Sequence, residues 1–184
     1  MNTNVYNYLK KHSPKSACNI DKLIISAYLS INNLKVKNSK LLLNHVISEG
    51  STNREKSDLQ DFITVLTNSS TIFNLENLIE IFEFVLSPSH KTVNGAIYTP
   101  AYIRSFILDK LVSESLLSIS NITGCDPACG CGGFLLTFSY LVKKLSGRSY
   151  FEIYKHQVYG VDITKYSIVR SKLLLSIPRM KSST

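Results

Sequence analysis

Apolar residues along this chain recur mostly at helical spacing, and polar clusters cut that pattern into short segments. Val5, Tyr6 and Leu9 predict a short helix over residues 3–11, broken by Ser13-Pro14. Leu23, Ile24, Ala27, Tyr28 and Ile31 form one apolar stripe, so a helix is expected from Lys22 to about Asn32, with Asp21 as its N-cap. The apolar density there also allows a strand. Asn38 is the expected cap of a third helix through Leu41, Leu42, Val46 and Ile47, ending near Gly50. Ser51–Lys56 reads as a loop. Ser57-x-x-Gln60 then has capping-box spacing for a helix with Leu59, Phe62, Ile63 and Leu66 on one side, stopped by Asn68-Ser69-Ser70. Asn74 caps a helix from Leu75 to Leu86, apolar around most of its circumference and stopped by Ser87-Pro88-Ser89. Residues 1–89 therefore read as an all-helical region. His90–Asn94 is a linker, and a second domain is expected over 90–184.

Past the linker the pattern changes. Thr99-Pro100 predicts a helix start, with Thr99 as N-cap and Pro100 at the first helical position. Ile103, Phe106, Ile107 and Leu111 are its expected buried stripe. Free N–H groups at that start suit an anion such as a ligand carboxylate. Ile119–Cys125 is short and partly apolar, so it can be a strand. Cys125-Asp126-Pro127-Ala128-Cys129-Gly130-Cys131-Gly132-Gly133 follows. Then Phe134, Leu135, Leu136, Phe138, Leu141 and Val142 recur at helical spacing, up to a stop at Ser146-Gly147-Arg148. The glycines thus stand where a strand hands over to a helix, the junction at which open α/β sheets bind nucleotide-like ligands. Phe151–His156 is ambiguous, and Gln157–Asp162 reads as a second strand ending in an acid. Thr164 caps a last helix with Ile168, Val169, Leu173 and Leu174 inside, Arg170 and Lys172 outside, Pro178 at its end and a loose tail after it.

Composition narrows the class. The chain has 184 residues, enough for one large or two small domains. No apolar run reaches the roughly 18–20 residues of a membrane span, and the polar start Met1-Asn2-Thr3-Asn4 has no signal-peptide pattern. A cytoplasmic protein is expected. Cys125, Cys129 and Cys131 are crowded but do not form two C-x-x-C pairs, so they read as small-residue positions in a turn, with no metal site and no disulfide. The formal charge is +8, which suits a nucleic-acid partner. Residues 1–48 carry seven lysines against Asp21 alone, whereas 49–83 are rich in acids. A phosphate-touching first segment and a solvated basic face are both consistent with this.

The glycine turn limits the ligand. A dinucleotide fingerprint wants G-x-G-x-x-G, but after Gly130-x-Gly132 the third position is Leu135. Asp126 would repel a pyrophosphate and suits an ammonium or sulfonium group. Tyr159-Gly160-Val161-Asp162-Ile163 supplies a second acid, able to accept hydrogen bonds from ribose hydroxyls. Two strand-end carboxylates fit S-adenosylmethionine better than NAD or ATP.

Asp126-Pro127-Ala128-Cys129-Gly130-Cys131-Gly132-Gly133-Phe134-Leu135 resembles the first motif of the N6-adenine DNA methyltransferases of restriction–modification systems. Gly95-Ala96-Ile97-Tyr98-Thr99-Pro100, with Ile103 and Phe106-Ile107, looks like that family's preceding motif. Gly160-Val161-Asp162-Ile163 resembles its ribose-binding motif. The resemblance implies an N-terminal all-α region followed by the first part of an α/β Rossmann-like, S-adenosylmethionine-dependent methyltransferase fold, with an incomplete sheet. It implies that Asp126, Gly130 and Gly132 line the methionine part, that Tyr98, Thr99 and Pro100 close over it, and that Asp162 holds the ribose. Ala128, Phe134 and Ile163 are further cofactor-binding residues by the same resemblance. Double-stranded DNA would be the substrate, with specificity or restriction subunits as further partners. Three departures stand out. Cys131 replaces the usual Ser, Thr164-Lys165 replaces an acid and Pro, and the catalytic tetrapeptide, Asn or Asp followed by Pro-Pro and an aromatic, is absent. The chain is therefore expected to be a piece of a larger methyltransferase and inactive alone. The alternative is a catalytically dead cofactor-binding or protein-interaction module.

Overall fold

Local hydrogen bonds decide where the first helices begin. The computed structural model describes residues 2–12, 17–69, 72–85, 99–115, 118–119 and 121–181. The chain divides into two units, Met1–Gly95 and Ala96–Thr184. The first carries α1 (Thr3–His12), α2 (Ala17–Ile31), α3 (Lys40–Leu43), α4 (Asn53–Thr67) and α5 (Leu75–Phe84). α2 packs against α4 and α5, and α1 against α4. Val5, Leu9, Ile24, Tyr28, Phe62, Leu66, Leu78, Ile79 and Phe82 are almost wholly buried. Each such side chain contributes roughly 1.5–3 kcal/mol, which holds helices too short to persist alone.

Three expected helix starts move. α2 begins at Ala17, so Asp21 lies inside it and is buried; Ile20, also buried, extends the apolar side one turn upstream. α3 is a single turn capped by Ser39, whose Oγ accepts the Leu42 N–H at 3.3 Å. It stops early because the chain turns back to α2, where the Ile47 N–H donates to Ser26 Oγ at 2.7 Å. α4 starts before Ser57. Thr52 Oγ1 accepts the Glu55 N–H at 3.2 Å while Glu55 Oε2 accepts the Thr52 N–H at 2.9 Å, a capping box that satisfies two open donors. Asn74 does cap α5, in a reciprocal pair with Asn77.

The second unit carries α6 (Ala101–Ser113), β1 (Gly124–Asp126), α7 (Gly133–Ser146), α8 (Tyr150–His156), β2 (Val158–Gly160) and α9 (Lys165–Lys181). The described chain is thus mostly helical with a small sheet of two parallel strands, paired Gly124 to Val158, Cys125 to Tyr159 and Asp126 to Gly160. α7 touches α6, both strands, α8 and α9. Phe138, Val142 and Ile153 form a buried cluster with Leu108, Val112, Ile119, Ile122, Tyr150, Tyr154 and Val158 against it.

β1 is shorter than expected because Gln157, itself buried, takes the carbonyls before it. Its Nε2 donates to Ile119 O at 3.0 Å and Ile122 O at 2.8 Å. The α6 stripe is also different. Phe106, Ile107 and Leu111 are exposed, and the side turned inward is Arg104, Leu108 and Val112. Pro100, not Thr99, is the N-cap residue and makes no side-chain cap bond. Arg170, expected outside, is buried on α9. Pro178 lies within α9 instead of ending it. So late in the helix it removes one backbone donor, while Ile177 beside it is fully buried. No described helix is long and apolar enough to cross a membrane.

Candidate functional site

The parallel register sets the C-terminal ends of β1 and β2 side by side, with Asp126 opposite Gly160. Beyond the strands the backbones stay stitched. The Val161 N–H donates to Asp126 O, and the Cys129 N–H to Val161 O, both at 2.9 Å. The turn after β1 therefore lies across the chain leaving β2.

Side chains close the same corner. Asp162 Oδ2 accepts the Gly130 N–H at 3.0 Å, and its Oδ1 accepts the Thr164 N–H and hydroxyl, both at 2.7 Å. Asp126 Oδ1 accepts the Ala128 N–H at 3.0 Å. The Cys129 thiol is buried here. Burial first, then the negative charges of Asp126 and Asp162, push it from its ordinary 9.0 up to about 11. Both carboxylates thus bear on one point, and the thiol stays neutral, a filler rather than a nucleophile.

The turn needs its glycines. Gly130 and Gly132 have φ of 51° and 91°, a left-handed conformation that side chains disfavour. A Cβ on Gly132 would also lie 2.6 Å from Ser171 Oγ on α9. The Gly132 N–H donates to Cys129 O at 2.8 Å, and Gly132 O accepts the Leu136 N–H at 2.9 Å, opening α7 directly from the turn.

Arg104 joins this region from α6 and is 1% exposed. Its Nη1 donates to Thr99 O and its Nε to Thr137 Oγ1 at 3.1 Å. A Cβ on Gly133 would meet the guanidinium at 3.3 Å. Thr99 is thereby tied to the first turn of α7.

Of the expected residues, Asp126, Ala128, Gly130 and Asp162 are joined by these bonds, and Gly132 backs onto α9. Phe134 is half-buried on the first turn of α7. Pro100 opens α6, and Ile163 is 87% exposed just past the corner. Tyr98 lies outside the described residues. Sequence reasoning missed Arg104, Thr164 as a donor to Asp162, and Ser171. A lone arginine in the apolar run of α6 was a usable signal, and Thr164 was marked only as a helix cap and a departure from the family pattern; nothing in the sequence marked Ser171. Among the described residues no group of three or more His, Cys, Asp or Glu is arranged to hold a metal ion.

The family model described as N-6 DNA Methylase matches residues 74–177, more than half of the chain. The chain belongs to the N-6 DNA methylase family. The match runs from the cap of α5 through both strands into α9, and so takes in every candidate residue from Tyr98 to Ile163. The Type II methyltransferase M.VspI of Vibrio sp. (strain 343) is 35% identical over 82 residues, which is 45% of this chain and 19% of that relative. The chain thus spans about a fifth of that methyltransferase's length. No solved structure matches it.

Proposed function

We propose that residues 90–184 form the cofactor-binding part of an S-adenosylmethionine-dependent methyltransferase that modifies the exocyclic amine of adenine in duplex DNA, within a restriction–modification system. The observation that carries this reading is the Gly130 N–H to Asp162 bond, which brings the bare turn after β1 and the acid after β2 to one corner. Two carboxylates at that corner, Asp126 and Asp162, suit a ligand with a sulfonium and an ammonium group. They would repel a pyrophosphate. The cofactor supplies an electrophilic methyl group when bound.

The chain's own residues bind and orient. Asp126, with Ala128, Gly130, Gly132 and Phe134, lines the cationic amino-acid end. Tyr98, Thr99 and Pro100 cover it. Asp162 and Ile163 receive the nucleoside. Rossmann-like completion of the sheet would come from further strands, since two parallel strands leave open edges. The absent tetrapeptide is the family's holder of the flipped base. These 184 residues alone are therefore expected to bind cofactor without transferring methyl groups. Charge supports a DNA partner. After Pro127 the acids are Glu152 and Asp162 alone, against Lys143, Lys144, Arg148, Lys155, Lys165, Arg170, Lys172, Arg179 and Lys181. Exposed Tyr102, Phe106 and Leu111 on α6 give a surface for another subunit or for the rest of the protein.

Calorimetry with S-adenosylmethionine tests the reading. Asp126→Asn and Asp162→Asn should each weaken binding at least about tenfold, near 1.4 kcal/mol. Unchanged affinity in both variants would overturn the site. Adding duplex DNA separates the second reading: a protein-interaction module binds cofactor and no DNA. Labelled methyl transfer to adenine by the isolated chain would refute the expected inactivity.

A further inference from the structure

We propose that Arg104 is a positioning residue for the amino-acid end of the cofactor, a role that rests on the cofactor site proposed above. The guanidinium is buried between two segments that the glycine turn does not itself connect. On one side it holds the Thr99 carbonyl through Nη1. On the other it holds the Thr137 hydroxyl through Nε at 3.1 Å, and that hydroxyl donates to Gly133 O at 3.0 Å. Gly133 is the first residue of α7, directly after Gly132. The guanidinium also packs closely on Gly133, since a Cβ there would lie 3.3 Å from it.

Arginine suits this task because its planar fork spans two acceptors in fixed geometry. Fixing the Thr99 carbonyl anchors the start of α6 to the start of α7. The N–H groups at both helix starts then keep a set separation. A ligand carrying a carboxylate beside its ammonium group needs that separation; one lacking the amino-acid end does not. A cation buried at the positive end of α7 also favours a nearby carboxylate over a neutral group.

The test compares two ligands on the full 184-residue chain by calorimetry: S-adenosylmethionine, and 5′-methylthioadenosine, which lacks the amino-acid end. Arg104→Met should lower affinity for S-adenosylmethionine about tenfold or more and for methylthioadenosine less than about twofold. Arg104→Lys, which keeps the charge and loses the fork, should recover part of the loss. Thr137→Val removes one acceptor and keeps the charge, so it provides a milder arm should the arginine variants fail to fold; it should shift selectivity in the same direction. Equal losses for both ligands would mean a merely structural role and overturn the proposal, as would unchanged selectivity in the folded variants. Wild-type chain that binds neither ligand would instead sink the cofactor site itself, and the proposal with it.

Discussion

Gly132→Ala is the substitution on which the geometry of the turn makes its sharpest demand. Gly132 has φ of 91°, and an added methyl would lie 2.6 Å from Ser171 Oγ, 3.1 Å from its Cβ and 3.2 Å from its Cα. The left-handed backbone costs an alanine roughly 1–2 kcal/mol. The clash adds about 1–3 kcal/mol, because rotating the hydroxyl away does nothing to move the Ser171 main chain, which is fixed within α9. The expected loss is about 2–5 kcal/mol, the sum of the backbone strain and the clash. Gly147→Ala is the matched control: its φ is 69°, but nothing lies within 4 Å of the added methyl, so it bears the strain alone. Urea melts followed by circular dichroism give the comparison. At slopes of about 1–3 kcal/mol/M, a loss of about 3 kcal/mol moves the midpoint by roughly 1–3 M. Ser171→Gly, added to Gly132→Ala, should return part of the clash term despite the cost of a helical glycine. Equal midpoints for Gly132→Ala and Gly147→Ala would refute the claim that α9 presses on this turn.

Thr52→Ala should cost about 1 kcal/mol by loss of the capping box, whereas Ser57→Ala, inside α4, should change the melting point little. Gln157→Ala leaves the Ile119 and Ile122 carbonyls without their donor and should destabilise by about 2–4 kcal/mol in urea melts. The Cys129 thiol, raised from 9.0 to about 11, contributes stability that is intact below about pH 9 and lost as pH rises to about 11. At about 1.36 kcal/mol per pKa unit this is at most about 2–3 kcal/mol, and Cys129→Ala should flatten the stability profile across that window. A profile unchanged by the substitution would refute the upward shift of the buried Cys129 thiol.

What the sequence showed, and what it hid, follows from the kind of signal each feature leaves. The hand-over from strand to helix at the glycine turn was legible because glycine, a preceding strand and a helical stripe from Leu135 to Val142 all point to the same place. Helix starts were legible only to within a turn. Serine, threonine, asparagine and aspartate all make good caps, so Ser57 reads as the opening of α4 and Asp21 as the cap of α2. Which one is used depends on where the apolar face first finds a partner, a tertiary fact. The larger errors concern two helices: Arg170 reads as solvent-facing on α9 but is buried, and the α6 stripe reads through Ile103, Phe106, Ile107 and Leu111 with no role for Arg104. On α6 the inward side is the one carrying Arg104, which leaves Phe106 and Leu111 exposed. A guanidinium can be buried when acceptors surround it, and carbonyls such as that of Thr99 leave no trace in sequence.

Asp162 carries the most interesting consequence of this corner. An ionised carboxylate offers roughly four acceptor positions. The Gly130 N–H, the Thr164 N–H and the Thr164 hydroxyl occupy three of them. A ribose diol wants two acceptors, so one of the internal donors must yield for both hydroxyls to bind. The Thr164 hydroxyl is the donor with an alternative, because Ser167 Oγ lies 2.6 Å away. The two backbone donors have fixed directions. The family's usual acid at this position could not donate at all, so the Thr at 164 adds a competitor that the pattern lacks. On the proposed reading, the residue that would grip the sugar also holds the glycine turn through the Gly130 N–H. Ligand affinity and turn order would then be coupled through one side chain.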